Sequence, residues 1–140
     1  MKLKKETDYA LRIVFFLAKI YIENANEIID SKSISKAEHI PESFCLKILK
    51  KLVKAKIIKV YRGVSGGYSL DKEPCDISLG EVIHVIEKDE AINTCICTPG
   101  SCSNQRDGRC PVRNSLSLIQ NELFKSMEKI KFSDIINSSF

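Results

Sequence analysis

Histidine is nearly missing from this 140-residue chain: it has two, His39 and His84, and neither lies near the main group of cysteines. No nucleophile–base constellation is apparent. No glycine loop suits a phosphate beyond the stretch holding Gly63, Gly66 and Gly67, so the residues do not argue for an enzyme. Long apolar runs are missing too. The opening MKLKKETDYALR has no apolar core behind its basic residues and no later run could span a bilayer, so the expectation is a cytoplasmic protein with no membrane partner. Internal repeats and low-complexity segments are absent, which leaves one domain or one small domain with an appendage. Apolar residues make up 44% of the chain, enough for a core without covalent staples, so the six cysteines need another explanation.

The net charge of +4 is unevenly divided. Residues 1–70 carry 14 Lys and Arg against 7 Asp and Glu, a net of +7, while residues 71–140 carry 8 against 11, a net of −3. This division suggests an anion-binding half and a half with another task, although solvated surface lysines alone would give the same count.

Apolar side chains at 10, 11, 14, 17, 18 and 21 mark an amphipathic helix over 5–23, ended by the polar stretch ENANEIIDSK. A short second helix is expected near SKSISKAEH, with Ser33 or Ser35 as N-cap. Pro41 suits the start of a third helix, PESFCLKILKKLVKAK. On that helix Lys47, Lys50, Lys51 and Lys54 fall within roughly a 100° arc, opposite Cys45, Ile48, Leu49, Leu52 and Val53. Two short strands, IIKVY and GYSL, then flank Arg62, Gly63, Val64, Ser65, Gly66 and Gly67. Helix, turn, basic helix and Gly-rich hairpin in this order describe a winged helix-turn-helix. The basic helix would enter a DNA major groove, and the hairpin would carry Arg62 to the backbone or minor groove.

A fourth helix is expected over 77–88, where Ser78 and Glu81 have capping-box spacing. Four of the six cysteines, Cys95, Cys97, Cys102 and Cys110, follow in a loop over 93–110. Beyond it, Val112, Leu116, Ile119, Leu123, Met127 and Ile130 form the narrow seam of a long helix over 111–131, suited to a symmetric partner or to its own domain, and FSDII suggests one more helical turn. A reducing compartment disfavours structural disulfides and favours metal ligation or redox chemistry for such a group of thiols. Pro111 would place Cys110 at a helix N-terminus, and Arg106, Arg109 and Arg113 would surround an anionic unit. Read from the residues alone, zinc on four thiolates and an iron–sulfur cluster are equally good accounts. Cys45 is expected in the core, and Cys75 in a loop without a ligand role.

YRGVSGGYSL, followed by DISLGEVIHVIE and preceded by TDYALR near the start, resembles the Rrf-two family of bacterial winged-helix regulators along nearly the whole chain. That resemblance implies a homodimer and, in many members, a [2Fe-2S] or [4Fe-4S] cluster on three loop cysteines. The first family cysteine stands fifteen residues after the Gly of the GEV element, as Cys95 does after Gly80, so Cys95, Cys102 and Cys110 take the three places. The spacings are wider than the commoner family pattern and Cys97 is an additional thiol, so Cys97 stands as an alternative first ligand or as a fourth. In one branch a His three residues after the last Cys completes the set; that place here is Arg113. In the nitric-oxide-sensing branch an acidic residue near the N-terminus ligates from the other subunit, a place Asp8 matches, although a plain surface Asp is an equal reading. The cysteine-metabolism branch lacks the cysteine triad.

The resulting expectation is a mainly α protein with a small β-hairpin wing. Residues 1–76 would form a winged-helix DNA-binding domain, and 77–140 a cysteine-loop sensor with a dimerisation helix. It would be a homodimeric repressor on a palindromic double-stranded operator, controlled by a cluster that senses cluster supply, nitric oxide or redox state. Ser43 and Lys47 would contact base edges or nearby phosphate, Lys50, Lys51 and Lys54 the backbone, and Arg62, Ser65 and Gly66 would serve the wing. The alternative is a zinc- or thiol-based redox or metal-handling protein built on the same scaffold.

Overall fold

The computed structural model describes residues 2–88 and 91–138; the outer ends of both expected domains, Met1 and residues 139–140, lie outside them, as do residues 89–90. Helix α1 (Lys5–Glu23) turns Tyr9, Ala10, Ile13, Val14, Leu17 and Ala18 inward, the spacing of one helical face. Helix α2 (Ser31–Glu38) fills the expected segment, but its N-cap is Asp30, not Ser33 or Ser35. The Asp30 carboxylate accepts from the Ser33 backbone N–H at 3.2 Å and from its hydroxyl at 2.5 Å. An Asp in the residue before the first turn satisfies the orphan amides that two serines inside the helix cannot reach. His39 closes α2 in the left-handed conformation, and Pro41 caps α3 (Glu42–Lys54) two residues later. Helix α3 buries Cys45, Ile48, Leu49 and Leu52.

Strands β1 (Ile58–Tyr61) and β2 (Gly67–Leu70) pair antiparallel, with Ile58 opposite Leu70 and Tyr61 opposite Gly67. Glycine is required at 66 and 67 for reasons inside the protein. A Cβ on Gly66 would run into the Tyr61 carbonyl oxygen. One on Gly67 would lie 2.6 Å from the Ile29 carbonyl oxygen, where Ile29 adds a bridge to Tyr68.

Helix α4 spans Leu79–Ile86, shorter at both ends than 77–88. The Ser78 hydroxyl accepts from the Glu81 N–H at 3.0 Å, as the spacing predicts. The reciprocal half of the capping box does not form, because the Glu81 carboxylate pairs with Lys72. Ile77 and Ser78 are drawn out of the helix by pairing with the far end of the chain: Leu79 N–H donates to Ile130 O and Phe132 N–H to Ile77 O, both at 3.0 Å. The same Ser78–Lys131 bridge ends the long helix α6 at Lys129 (Pro111–Lys129) instead of 131. A four-residue helix, α5 (Thr94–Cys97), interrupts the cysteine loop, and α7 (Phe132–Asn137) closes the described chain.

One core joins all of this. Ile13 and Leu17 of α1, Ile34 of α2, Leu49 and Leu52 of α3, Val82 of α4 and Phe132 of α7 share a single buried cluster. Each fully buried side chain of this size contributes about 1.5–3 kcal/mol over exposure. Gly80 lets α4 approach α6 closely: a Cβ there would lie 3.0 Å from the Glu128 side chain.

Candidate functional site

Two sites were expected, and the fold positions both. On the first, the outer face of α3 carries Ser43, Lys47, Lys50 and Lys54, all exposed. A cleft of about 570 Å³ joins α3 to the hairpin, with Lys50 on one wall and Arg62, Gly63 and Gly66 on the other. The helix and the hairpin therefore present cations to one shared channel, while Ser65 and a wholly exposed Val64 stand at the hairpin tip. Phe44 and Leu46, 49% and 44% exposed, add apolar surface beside the lysines.

Lys51, on the same side of α3, is ion-paired within the chain. Its Nζ donates to Glu6 Oε1 of α1 at 2.7 Å, and Lys47 Nζ lies 3.7 Å from the same oxygen. The Lys51 hydrogen bond, against the opposing effect of burial and with the charges of both lysines, holds the Glu6 carboxyl below its ordinary range. Glu6 is a residue that the sequence gives no means of finding, because its partner lies 51 − 6 = 45 positions away.

At the second site, Asn93 caps α5 by accepting from Cys95 N–H at 3.4 Å, and Cys110 is the N-cap of α6 with Pro111 in its first turn. Cys95, Cys102 and Cys110 line one cavity of about 220 Å³ together with Arg106 and Arg113. Among the described residues neither Cys97 nor Asp8 lines it. Cys97 is exposed, its Sγ 3.4 Å from Thr94 O, and Asp8 is ion-paired with Arg12 at 3.3 Å. Arg113, which the sequence offers only as local charge, is a fastener. Its Nε donates to Cys95 O at 2.8 Å and a terminal nitrogen to Ile96 O at 3.4 Å, tying α5 to α6. Gln120 accepts from Ile92 N–H at 2.7 Å and fixes the segment just before it.

Among the described residues no three Cys, His, Asp or Glu side chains are arranged to grip a single metal ion, so the cavity gathers donors without forming a finished cage. The donor set itself suits an anionic thiolate–iron–sulfur unit: three soft thiols, two guanidinium groups against the one carboxylate of Asp107, and the N-terminus of a long helix. The other two cysteines have no such company. Burial, with Glu42 nearby, pushes the Cys45 thiol up to about 11, and Cys75 is exposed in a turn at Pro74–Asp76 where slight desolvation and the neighbouring acids raise its pKa.

The stem of the loop is anchored to α1. Glu87, at the end of α4, is 7% exposed and accepts from Lys4 N–H at 2.8 Å and from the Thr7 hydroxyl at 2.5 Å, with Lys4 Nζ at 3.1 Å. Burial raises the Glu87 pKa, but these bonds outweigh it and the net shift is downward.

A protein-family model described as "Rrf2: Iron-dependent Transcriptional regulator" matches residues 3–138. The chain belongs to the Rrf2 family. Its members are DNA-binding transcriptional regulators and not enzymes, in agreement with the expected winged-helix fold class. The chain is 27% identical over 146 residues to the HTH-type transcriptional regulator NsrR of Oceanobacillus iheyensis, covering 99% of this chain and 91% of that protein. Among solved structures, IscR of T. potens superposes with a TM-score of 0.74 at 22% identity, covering 97% of this chain and 86% of that one. CymR, the global cysteine regulator of B. subtilis, superposes with a TM-score of 0.74 at 21% identity, covering 100% and 99%. At these identities the two structures speak for the Rrf2 fold. Among the described residues no helix is long and apolar enough to cross a membrane.

Proposed function

We propose that this Rrf2 regulator is a homodimeric repressor of a palindromic operator, and that its grip on DNA is governed by an iron–sulfur cluster on Cys95, Cys102 and Cys110. The observation that carries this reading is the convergence of those three thiols on one arginine-flanked cavity at the start of α6, with Cys97 turned outward. The same observation favours a cluster over zinc on four thiolates, which would need Cys97 inside. A bound cluster would supply a centre that reacts with oxidants and nitric oxide.

The chain's own residues would do the rest. Arg113 and Gln120 hold the loop on α6, and the Glu87 bonds hold the loop's stem on the first turn of α1. A change in loop order is thereby passed to helices on both sides. Helix α6 contains no fully buried residue, and Val112 and Ile119 lie exposed on one side of it, with Ile130 exposed just past its end, which suits a second copy of the chain. Two units displaced relative to each other no longer fit two half-sites, so loop order would shift the population that can bind. Residues 1–76 would serve as the DNA-reading segment, with Ser43, Lys47, Lys50 and Lys54 on the groove face and Arg62, Ser65 and Gly66 in the wing; 77–140 would serve as the sensing and dimerising segment. Asp8, from a second copy of the chain, would complete the ligand set.

The test is anaerobic footprinting of the chain's own upstream region with the freshly purified protein. The expected result is protection of two symmetric half-sites that changes when nitric oxide is added. Protection that ignores nitric oxide, oxidants and cluster removal alike would contradict the proposal.

A further inference from the structure

The recognition face is less cationic than its lysines suggest, because one acid from another helix sits under it. Glu6 stands in the first turn of α1, its side chain 19% exposed, with Lys51 on it at 2.7 Å and Lys47 at 3.7 Å. Lys51 is the more covered of the two lysines, 31% exposed against 60% for Lys47. Among the described residues Lys50 and Lys54 have no ion pair. A phosphate that recruited Lys51 would leave Glu6, mostly covered and facing polyanionic DNA, without its principal partner. A lysine already neutralised by a protein carboxylate also displaces no counterion from DNA, so it adds nothing to salt-dependent affinity.

We propose that Glu6 is an internal counter-ion of the DNA-reading face: it withholds Lys51 from the phosphate backbone and thereby limits the affinity that Lys47, Lys50 and Lys54 provide. Glu6 is in this sense a positioning residue. The inference rests on α3 being the DNA-reading helix, and the experiment keeps the two apart.

The measurement is the salt dependence of full-length protein binding to a short mixed-sequence duplex, followed by fluorescence anisotropy. Such non-specific binding depends on phosphate contacts and needs no knowledge of the operator. Wild type is compared with Glu6→Gln, Lys51→Met, the double variant and Lys50→Ala, each checked by thermal melting. Glu6→Gln is expected to steepen the slope of log K against log salt by about one and to tighten binding several-fold at low salt. Lys51→Met alone flattens the slope, because Glu6 then turns on Lys47, and the double variant returns to the wild-type slope. A double variant that stays about 0.9 flatter than wild type, with Glu6→Gln unchanged, means that Lys51 does reach phosphate, and the inference is overturned. Lys50→Ala separates that result from a failure of the face itself. If Lys50→Ala flattens the slope, only the Glu6 role falls; if it too has no effect, the α3 assignment falls with it.

Discussion

Helix α3, with 13 residues, sends Cys45, Ile48, Leu49 and Leu52 into the core, whereas α6, with 19, buries none of its side chains fully. The contrast extends to the regions around them. Every described residue from 91 to 131 is at least partly exposed, and Phe132 is the only fully buried one after Glu87. The single core is thus carried by α1 to α4 and α7, while the cysteine loop and α6 are held by the approach of α6 to α4 at Gly80, by individual polar ties such as Arg113–Cys95 O and by whatever covers the α6 stripe. A segment of low intrinsic stability is suited to responding to a ligand, because its order can change without unfolding the rest.

The largest effect should come from emptying the self-sufficient core. Leu49→Ala is expected to cost about 2–5 kcal/mol in urea unfolding of the protein. Leu116→Ala, on the half-exposed side of α6, should cost well under half as much; equal losses would erase the distinction between the two regions. Next comes Ile119→Asp, which puts a charge on the open stripe of α6. It should shift the protein toward monomer in sedimentation and weaken binding to two-half-site DNA by about tenfold or more, roughly 1.4 kcal/mol, while the far-ultraviolet circular dichroism stays unchanged. An unchanged sedimentation profile would place the partner surface elsewhere.

The last effect concerns the tie between the two regions. Glu87→Ala leaves the Thr7 hydroxyl and Lys4 N–H without their acceptor and should cost about 1–3 kcal/mol. The pH dependence has a definite sign. The Glu87 pKa is lower in the folded protein than the ordinary 4.5, so its contribution is fully present above that value and is lost as pH falls through the folded value. Unfolding midpoints taken downward from neutral pH should therefore draw together for wild type and Glu87→Ala as the pH falls below 4.5 and through the folded value. A gap that persists into strong acid would mean the carboxylate acts through packing instead.

What the sequence made legible follows the range of the forces involved. The extent of α1, the Cys45, Ile48, Leu49 and Leu52 side of α3, the Ser78 cap and the place of Cys110 before Pro111 are set within one or two helical turns and appear where the pattern puts them. The buried face of α1, however, is rotated to take in Tyr9 and Ile13 and leaves Leu11 and Tyr21 half-buried. The start of α4 and the end of α6 were not legible, because they are fixed by Ser78 pairing with Lys131 across the molecule. Glu6 on Lys51 and Arg113 on Cys95 are likewise tertiary pairings with no local trace. Asp30 is different: capping is local, but the expectation fell on Ser33 or Ser35, because the polar run ENANEIIDSK has no period that marks where the helix begins.

The central claim is tested most directly by purifying the protein anaerobically without chelator and measuring iron, acid-labile sulfide, zinc and visible absorption. The account predicts iron and sulfide in matching amounts with charge-transfer bands, lost in Cys95→Ala, Cys102→Ala and Cys110→Ala. A colourless protein holding about one zinc per chain, lost on Cys97→Ala as well, would contradict it and make the loop a structural clip.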